Sequence, residues 1–217
     1  MRNARKRTYS VLAVTAVAVP FLVAAAPPKS TAWASSGSVD VTIENEHIVT
    51  GELAKCSVDG PYTGRTTGGT TGDIAVFGIG DAGCGRNGPV SVAQGQGHRF
   101  QMDVLKRFGG PVITVRSFFA KCATTQDGSF AGIEVGATTG IAVPENIPAN
   151  YKIVIPGGEA GTALATVVVN ETVTPTPADG SLVTHALHIQ LFPQGGPASG
   201  DIYLATAACD PYGKKGS

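Results

Sequence analysis

The sequence predicts an all-β fold, an antiparallel β-sandwich-like domain that carries two disulfides. Short stretches rich in Val, Ile and Thr recur along the chain, and turns rich in Gly and Pro separate them. That composition is typical of strands joined by turns. No long amphipathic helix interrupts the pattern. Short strands at this spacing favour a sandwich or barrel over a parallel sheet.

The individual strands follow from side-chain alternation. Residues 40–44 alternate polar and apolar side chains, as a half-buried strand does. Residues 56–72 and the glycine-rich stretch 80–88 predict loop or turn, and residues 142–150, with two prolines, predict a linker or a crossing loop. Residues 100–108 suit either a strand or a helical turn. Further strands are expected at residues 47–54, 73–79, 89–93, 112–122, 129–135, 151–155, 162–173, 182–191 and 201–209.

The N-terminus has the three parts of a cleavable secretory signal peptide. Residues 1–10 are basic without an acidic residue, residues 11–26 are an apolar run, and Ala32-Trp33-Ala34 is a small-x-small site. The run of roughly 16 residues is short for the ~20 that a membrane anchor needs. We therefore predict cleavage directly before Ser35. A cut after Ala26 is disfavoured because a proline follows that bond.

Removal of residues 1–34 changes the charge of the chain. Five of its 16 basic residues lie there and none of its 16 acidic residues, so 11 basic residues remain against 16 acidic ones. This balance argues against nucleic acid and against anionic membrane surfaces as partners. The only tryptophan, Trp33, would also be lost.

The mature length suits one domain. We assign residues 35–212 to a single β-rich extracellular domain and residues 213–217 to a short tail, with a sub-boundary near residues 144–150 as the alternative. No sorting motif or apolar segment follows Cys209. We therefore expect no membrane span after cleavage, and release from the cell rather than anchoring.

The four cysteines lie in the predicted mature region, and none forms a C-x-x-C motif. An even number in an exported chain indicates disulfides. Four cysteines allow three pairings, and their spacing does not choose among them. We favour Cys56–Cys84, which closes a Gly/Thr-rich loop region, and Cys122–Cys209, which joins a central strand to the last one.

Two histidines in one predicted strand, His185 and His188, suggest a metal site. Residues three apart in a regular strand point to opposite faces, so we expect them not to share an ion. A packed or hydrogen-bonded role is the favoured interpretation. His47 and His98 are isolated in the sequence, and no H-E-x-x-H motif occurs.

Two sets of carboxylates also admit a calcium or acid–base interpretation. The residues of the first set occupy alternate positions of one predicted strand, and we favour a solvated strand face for them. The residues of the second set lie beside glycines, and we favour a role in turns for them. No G-x-S-x-G motif occurs, and Gly78-Ile79-Gly80 lacks the strand–helix context of a dinucleotide site. We assign no catalytic, cofactor-binding or metal-binding residue. The first set is Asp40, Glu44 and Glu46, and the second is Asp73, Asp81 and Asp127.

The C-terminal third resembles a known family. Val169-Asn170-Glu171-Thr172 is similar to its "LNEQ" element, and residues 184–189 are similar to its "VNALHV" strand, with His185 where the pattern has Asn. Residues 200–202 and 207–209 resemble its closing strand with a terminal cysteine, and residues 115–129 its middle "C…GS" strand pair. The chain thus resembles the choice-of-anchor P family of actinobacterial exported proteins over residues 112–210.

The resemblance implies a β-rich extracellular domain and no particular activity. We favour a secreted, non-enzymatic protein with a structural or interaction role, loosely associated with the cell wall or free. A cell-envelope protein or polysaccharide is the candidate partner. Loss of Trp33 weakens a sugar-binding role, because sugar sites use flat aromatic side chains, although Tyr62, Tyr151, Tyr203 and Tyr212 remain. The alternative is a secreted hydrolase of the glycosidase or esterase type, assembled from scattered Asp, Glu and His.

Overall fold

Two antiparallel sheets, packed face to face, form the domain. The computed structural model describes residues 29–126, 128–158 and 162–213. The strands are β1 (Thr31–Ile43), β2 (Glu46–Leu53), β3 (Cys56–Ser57), β4 (Thr63–Thr66), β5 (Gly69–Thr71), β6 (Ala75–Phe77), β7 (Gly80–Asn87), β8 (Val90–Met102), β9 (Ile113–Thr124), β10 (Ser129–Val135), β11 (Thr138–Thr139), β12 (Tyr151–Pro156), β13 (Ala163–Val173), β14 (Leu182–Leu191) and β15 (Ala198–Asp210), and a 3₁₀ helix spans Val104–Phe108.

The chain begins in the first sheet, builds the second sheet and then returns to the first. The first sheet has the order β12-β13-β14-β15-β1-β2, with β3 also paired to β1. The second has the order β10-β9-β8-β6-β5, with β11 on β9, β7 on β8 and β4 on β7. The first and last strands of the chain therefore lie side by side, and the predicted all-β sandwich is confirmed.

One hydrophobic core lies between the sheets and includes residues from both, such as Leu187 and Ile113. The crossing loop over residues 142–150 carries the chain from the second sheet back to the first, and its Val143 and Ile147 pack against the same core. The alternative sub-boundary near 144–150 is thus a crossover within one packed unit. In the described part of the chain, no helix is long and apolar enough to cross a membrane.

The glycine-rich stretch 80–88, expected to be a turn, is mainly strand β7. The expectation was wrong because these glycines lie in a paired strand, and Gly80 allows close packing rather than chain reversal. A Cβ on Gly80 would lie 2.7 Å from the Cβ of Ser36, and one on Gly95 of β8 would lie 2.2 Å from the carbonyl oxygen of Ser35. Residues 56–72, expected to be loop, likewise contain the short strands β3, β4 and β5.

The predicted boundary of the signal peptide conflicts with the first strand. Residues 1–28 lie outside the described residues, but β1 begins at Thr31 and includes Trp33 and Ala34. Ala34 is fully buried and pairs with Ala207 of β15 on one side and Cys56 of β3 on the other. A cut before Ser35 would remove the first third of a central strand, so the boundary needs correction.

Both favoured disulfide pairings are confirmed, and each joins the two sheets. Cys56 of β3 is bonded to Cys84 of β7, and Cys122 of β9 is bonded to Cys209 of β15. The sequence separations are 28 and 87 residues. In the chain-entropy model, loops of these lengths correspond to about 4 kcal/mol of stabilisation each.

Candidate functional site: a histidine cluster and a tryptophan groove

Strand pairing is interrupted at a single row that crosses four strands of the first sheet. The row consists of Ser36, Ala205, Ala186 and Asn170. These residues do not pair with one another across the strands, although the residue pairs on either side of the row keep their register. Asn170 of β13 and Ala205 of β15 have positive φ values of 56° and 46°, which reverse the inward–outward alternation of side chains as a bulge does.

The interruption places His185 and His188 on the same outer face of the sheet. Ala186 and Leu187 between them both point inward and are fully buried. The two imidazole rings have centroids 6.2 Å apart. The expectation that they point to opposite faces was wrong, because it assumed a regular strand. We call Glu171, His185, His188, Asp201, Tyr203 and Thr206 the histidine cluster.

His188 is the cation of the cluster and lies between two carboxylates. Its Nδ1 is 3.0 Å from Oε1 and 2.9 Å from Oε2 of Glu171, and its Nε2 is 2.7 Å from Oδ1 of Asp201. Burial lowers the pKa of His188, but the hydrogen bonds with Asp201 and Glu171 outweigh it and raise the pKa to about 9. Both ring N–H groups therefore donate to carboxylates at neutral pH.

His185 has the opposite character. Burial lowers its pKa to about 4; the charge of Glu171 opposes this shift and the charge of His188 adds to it. Nδ1 of His185 and Oγ1 of Thr206 are 2.8 Å apart, and Nε2 is 3.8 Å from Oε2 of Glu171. The carboxylate favours the tautomer with its proton on Nε2, so the Thr206 hydroxyl donates to Nδ1.

Tyr203 fills the space between the two imidazoles. Its ring centroid is 4.5 Å from that of His185 and 4.5 Å from that of His188, and the latter pair is stacked at 22°. Burial raises the pKa of Tyr203 to about 12, and the negative charges of Asp201, Glu171 and Asp40 act in the same direction. The phenol is therefore neutral, and its ring lies beside the imidazolium of His188, a favourable arrangement for an aromatic face.

The order Thr206–His185–Glu171 has the sequence of groups found in nucleophile–base–carboxylate triads. Thr206 is 4% exposed, however. Its hydroxyl is closed to substrate in this structure, so the arrangement is that of a buried hydrogen-bond network. Over the described ranges, no group of three or more His, Cys, Asp or Glu side chains is arranged to hold a metal ion.

A groove lies next to the cluster on the outer face of the same sheet. Paired residues on four neighbouring strands cross it in register: Trp33 with Ala208, Ala208 with Val183, and Val183 with Val173. Ala208 forms a low floor between larger side chains. The cavity measures about 380 Å³, and its rim includes Thr31, Thr174, Pro175, Ser181 and Asp210. We call it the Trp33 groove.

The groove combines an apolar floor with a polar rim. Trp33 is half-buried and Val173 is 50% exposed, so both present apolar surface to solvent. The ammonium group of Lys55 lies 5.7 Å from the centroid of the Trp33 ring, within the range of a cation–π contact. Such a lining suits a ligand with one apolar face and several hydroxyl groups.

The other carboxylates singled out in the sequence do not assemble. Asp40 bonds Nε2 of His47 at 2.7 Å, whereas Glu44 lies in the β1–β2 turn with a φ of 50° and Glu46 begins β2. The shared strand parity expected for these three carboxylates was therefore wrong. Asp73 pairs with Arg107 and Asp81 accepts hydrogen bonds from Gln96, and Asp127 lies outside the described residues.

Among the tyrosines, Tyr62 and Tyr212 are exposed, Tyr151 packs against the core and Tyr203 belongs to the cluster.

Most of the histidine cluster was not predicted from the sequence. The sequence indicated the two histidines, but not Glu171, Asp201, Tyr203 or Thr206 as their partners. The signal was present, because Glu171 and Asp201 lie inside the very segments that carry the family resemblance. Those segments form β13, β14 and β15, which pair in register here.

No protein-family model, no curated protein sequence and no solved structure matches the chain.

Proposed function

We propose that the chain is an exported, extracellular β-domain protein with a non-enzymatic binding role, and that its partner is a polysaccharide of the cell envelope. Two disulfides that join the sheets support an oxidising compartment. The resemblance to the choice-of-anchor P family over residues 112–210 supports the same assignment. Membership of that family is part of the proposal.

The Trp33 groove is the observation that carries the binding role. The flat indole and the floor at Ala208 offer apolar surface to the C–H face of a sugar ring, while Thr31, Thr174 and Asp210 can bond its hydroxyl groups. The net negative charge of the chain beyond its basic N-terminus favours a neutral polysaccharide over an acidic one.

Binding to insoluble cell-wall and plant polysaccharides, measured by co-sedimentation of the folded protein, tests the proposal. We expect Trp33→Ala to weaken binding at least about tenfold, since buried aromatic side chains dominate binding energies. Tyr62→Ala is the matched control, because Tyr62 is an exposed aromatic residue outside the groove. The absence of binding to any polysaccharide, or equal loss in both variants, would count against the proposal.

A secreted hydrolase is the second candidate, supported by the Thr206–His185–Glu171 order of groups. A panel of glycosidase, esterase and protease substrates distinguishes the two functions. Turnover that His185→Asn or Glu171→Gln abolishes would replace the binding role by a catalytic one. We expect no turnover above that of the same buffer without protein.

A further inference from the structure

Ser30, just before β1, is held by the interior of the fold. It is 2% exposed. Its hydroxyl donates to the carbonyl oxygen of Pro89 at 2.7 Å and lies 2.8 Å from the hydroxyl of Ser91. The Ser30 carbonyl accepts from Nε and Nη2 of Arg86, at 3.0 and 2.7 Å. A residue bonded in this way belongs to the folded domain rather than to a discarded leader.

The residues that follow Ser30 are inside the first sheet, not at its edge. Thr31 through Ala34 pair with residues 207–210 of β15. On the other side, Trp33 and Ala34 pair with Ser57 and Cys56 of β3. Cleavage before Ser35 would strip both β15 and β3 of a hydrogen-bonded neighbour and leave the Arg86 guanidinium without the Ser30 carbonyl.

Cleavage before Ser35 would also create a charge in the wrong place. The new α-ammonium group would sit on Ser35, which is 1% exposed. A buried, unpaired charge is strongly unfavourable. The folded domain therefore requires a start at or before Lys29.

The sequence offers a second cleavage site upstream. Val23-Ala24-Ala25 lies at the end of the apolar run and places Ala25 directly before the bond to Ala26, with the short aliphatic Val23 three positions before that bond. Cleavage at this bond avoids the Ala26–Pro27 bond, whose proline disfavours the peptidase. We propose that a signal peptidase hydrolyses the Ala25–Ala26 bond, so that Trp33 remains in the mature protein as a wall of the groove. One water is consumed, and the products are a carboxylate on Ala25 and an amino group on Ala26.

This processing site changes the composition of the mature chain. Four of the 16 basic residues precede Ala26, so 12 remain against 16 acidic residues. The single tryptophan is retained, which makes its fluorescence a direct reporter of the cut. A chain that begins at Ser35 contains no tryptophan at all.

The inference rests on the proposed export and is tested with the full chain in a secreting host. Intact mass, N-terminal sequencing and tryptophan emission are measured on protein purified from the medium. We expect a start at Ala26 and tryptophan emission. A start at Ser35 without this emission would overturn the processing site and leave export intact. An unprocessed chain retained in the cells would overturn both proposals.

A pair of leader variants separates site recognition from general effects on export. Ala25→Leu places a bulky side chain directly before the bond, and we expect at least about a tenfold loss of the Ala26 product. Ala13→Leu makes the same change within the apolar run and should leave the product unchanged. Normal processing of Ala25→Leu to the same N-terminus would overturn the assignment.

Discussion

His185 and His188 lie on one face of β14 with their rings 6.2 Å apart, yet their environments drive their pKa values in opposite directions. Burial beside Thr206 holds His185 neutral, whereas Asp201 and Glu171 hold His188 protonated against the effect of burial. The pair therefore carries one positive charge over a wide pH range, and two carboxylates face that charge. The cluster is a hydrogen-bonded ion network on the outer face of the sheet.

Stability should peak near pH 6.5 and fall on both sides. The unfolded chain protonates His185 near 6.5 but the folded chain only near 4, so stability falls as the pH drops across that window. The folded pKa of His188 is about 9 against 6.5 unfolded, so its contribution is complete below pH 6.5 and is lost as the pH rises toward 9. Denaturant unfolding against pH should show roughly 3 kcal/mol of loss on each side.

Two variants assign the two sides of this profile. His185→Asn removes the buried base and should reduce the loss of stability at acidic pH. His188→Gln should reduce the loss of stability at alkaline pH. Both are compared with His47→Gln, a histidine exposed at the β1–β2 hairpin. The assignment would be refuted if His188→Gln removed the fall in stability at acidic pH, or if both variants kept the pH dependence of the unfolding free energy unchanged.

Asp201→Asn should lower the pKa of His188. The substitution keeps the shape of the side chain but removes the negative charge of the carboxylate, whose Oδ1 lies 2.7 Å from Nε2 of His188. We expect a fall of about one unit or more, read from the imidazole resonances in an NMR titration, and a loss of about 1–2 kcal/mol in unfolding free energy at pH 7. Asp40→Asn, which removes the exposed partner of His47, should leave the pKa of His188 nearly unchanged.

Gly95→Ala should destabilise the sandwich by about 2 kcal/mol or more. Its new Cβ would approach the Ser35 carbonyl oxygen, where the second sheet meets β1, and such overpacking forces the backbone to shift. Gly85→Ala in the neighbouring strand β7 is the control, since its Cβ would meet nothing within 4 Å. We expect a change within about 0.5 kcal/mol there. Equal effects in thermal unfolding would contradict the close approach.

Removal of the Cys122–Cys209 disulfide by Cys122→Ala with Cys209→Ala should cost about 4 kcal/mol. This bond closes the longer loop and joins β9 to β15 across the core. Removal of Cys56–Cys84 in the same way should cost slightly less, since its loop is shorter. Unfolding under non-reducing conditions measures both values, and the reverse order of the two losses would argue against a loop-length effect.

Several parts of the fold were predictable from local patterns. The β-favouring stretches over residues 129–135 and 182–191 predict β10 and β14 at their observed bounds, because each stretch lies between segments rich in turn residues. The proline-containing crossing loop was also predictable, because proline cannot donate a ladder hydrogen bond. The glycine-rich strand β7 was not, since the close approach of Ser36 to Gly80 arises only when the two sheets pack.

The sequence by itself determined the all-β class and the presence of an N-terminal export pattern, because composition and residue pattern are local properties. It left three cysteine pairings open, and the structure decided between them. The tertiary structure alone decided which residues meet. It paired β1 with β15, and so moved Trp33 from the leader into a groove of the folded domain. It also interrupted four strands along one row, which brought both histidines to Glu171 and His188 to Asp201 as well. These relationships depend on register between strands far apart in the chain, and no local pattern contains that information.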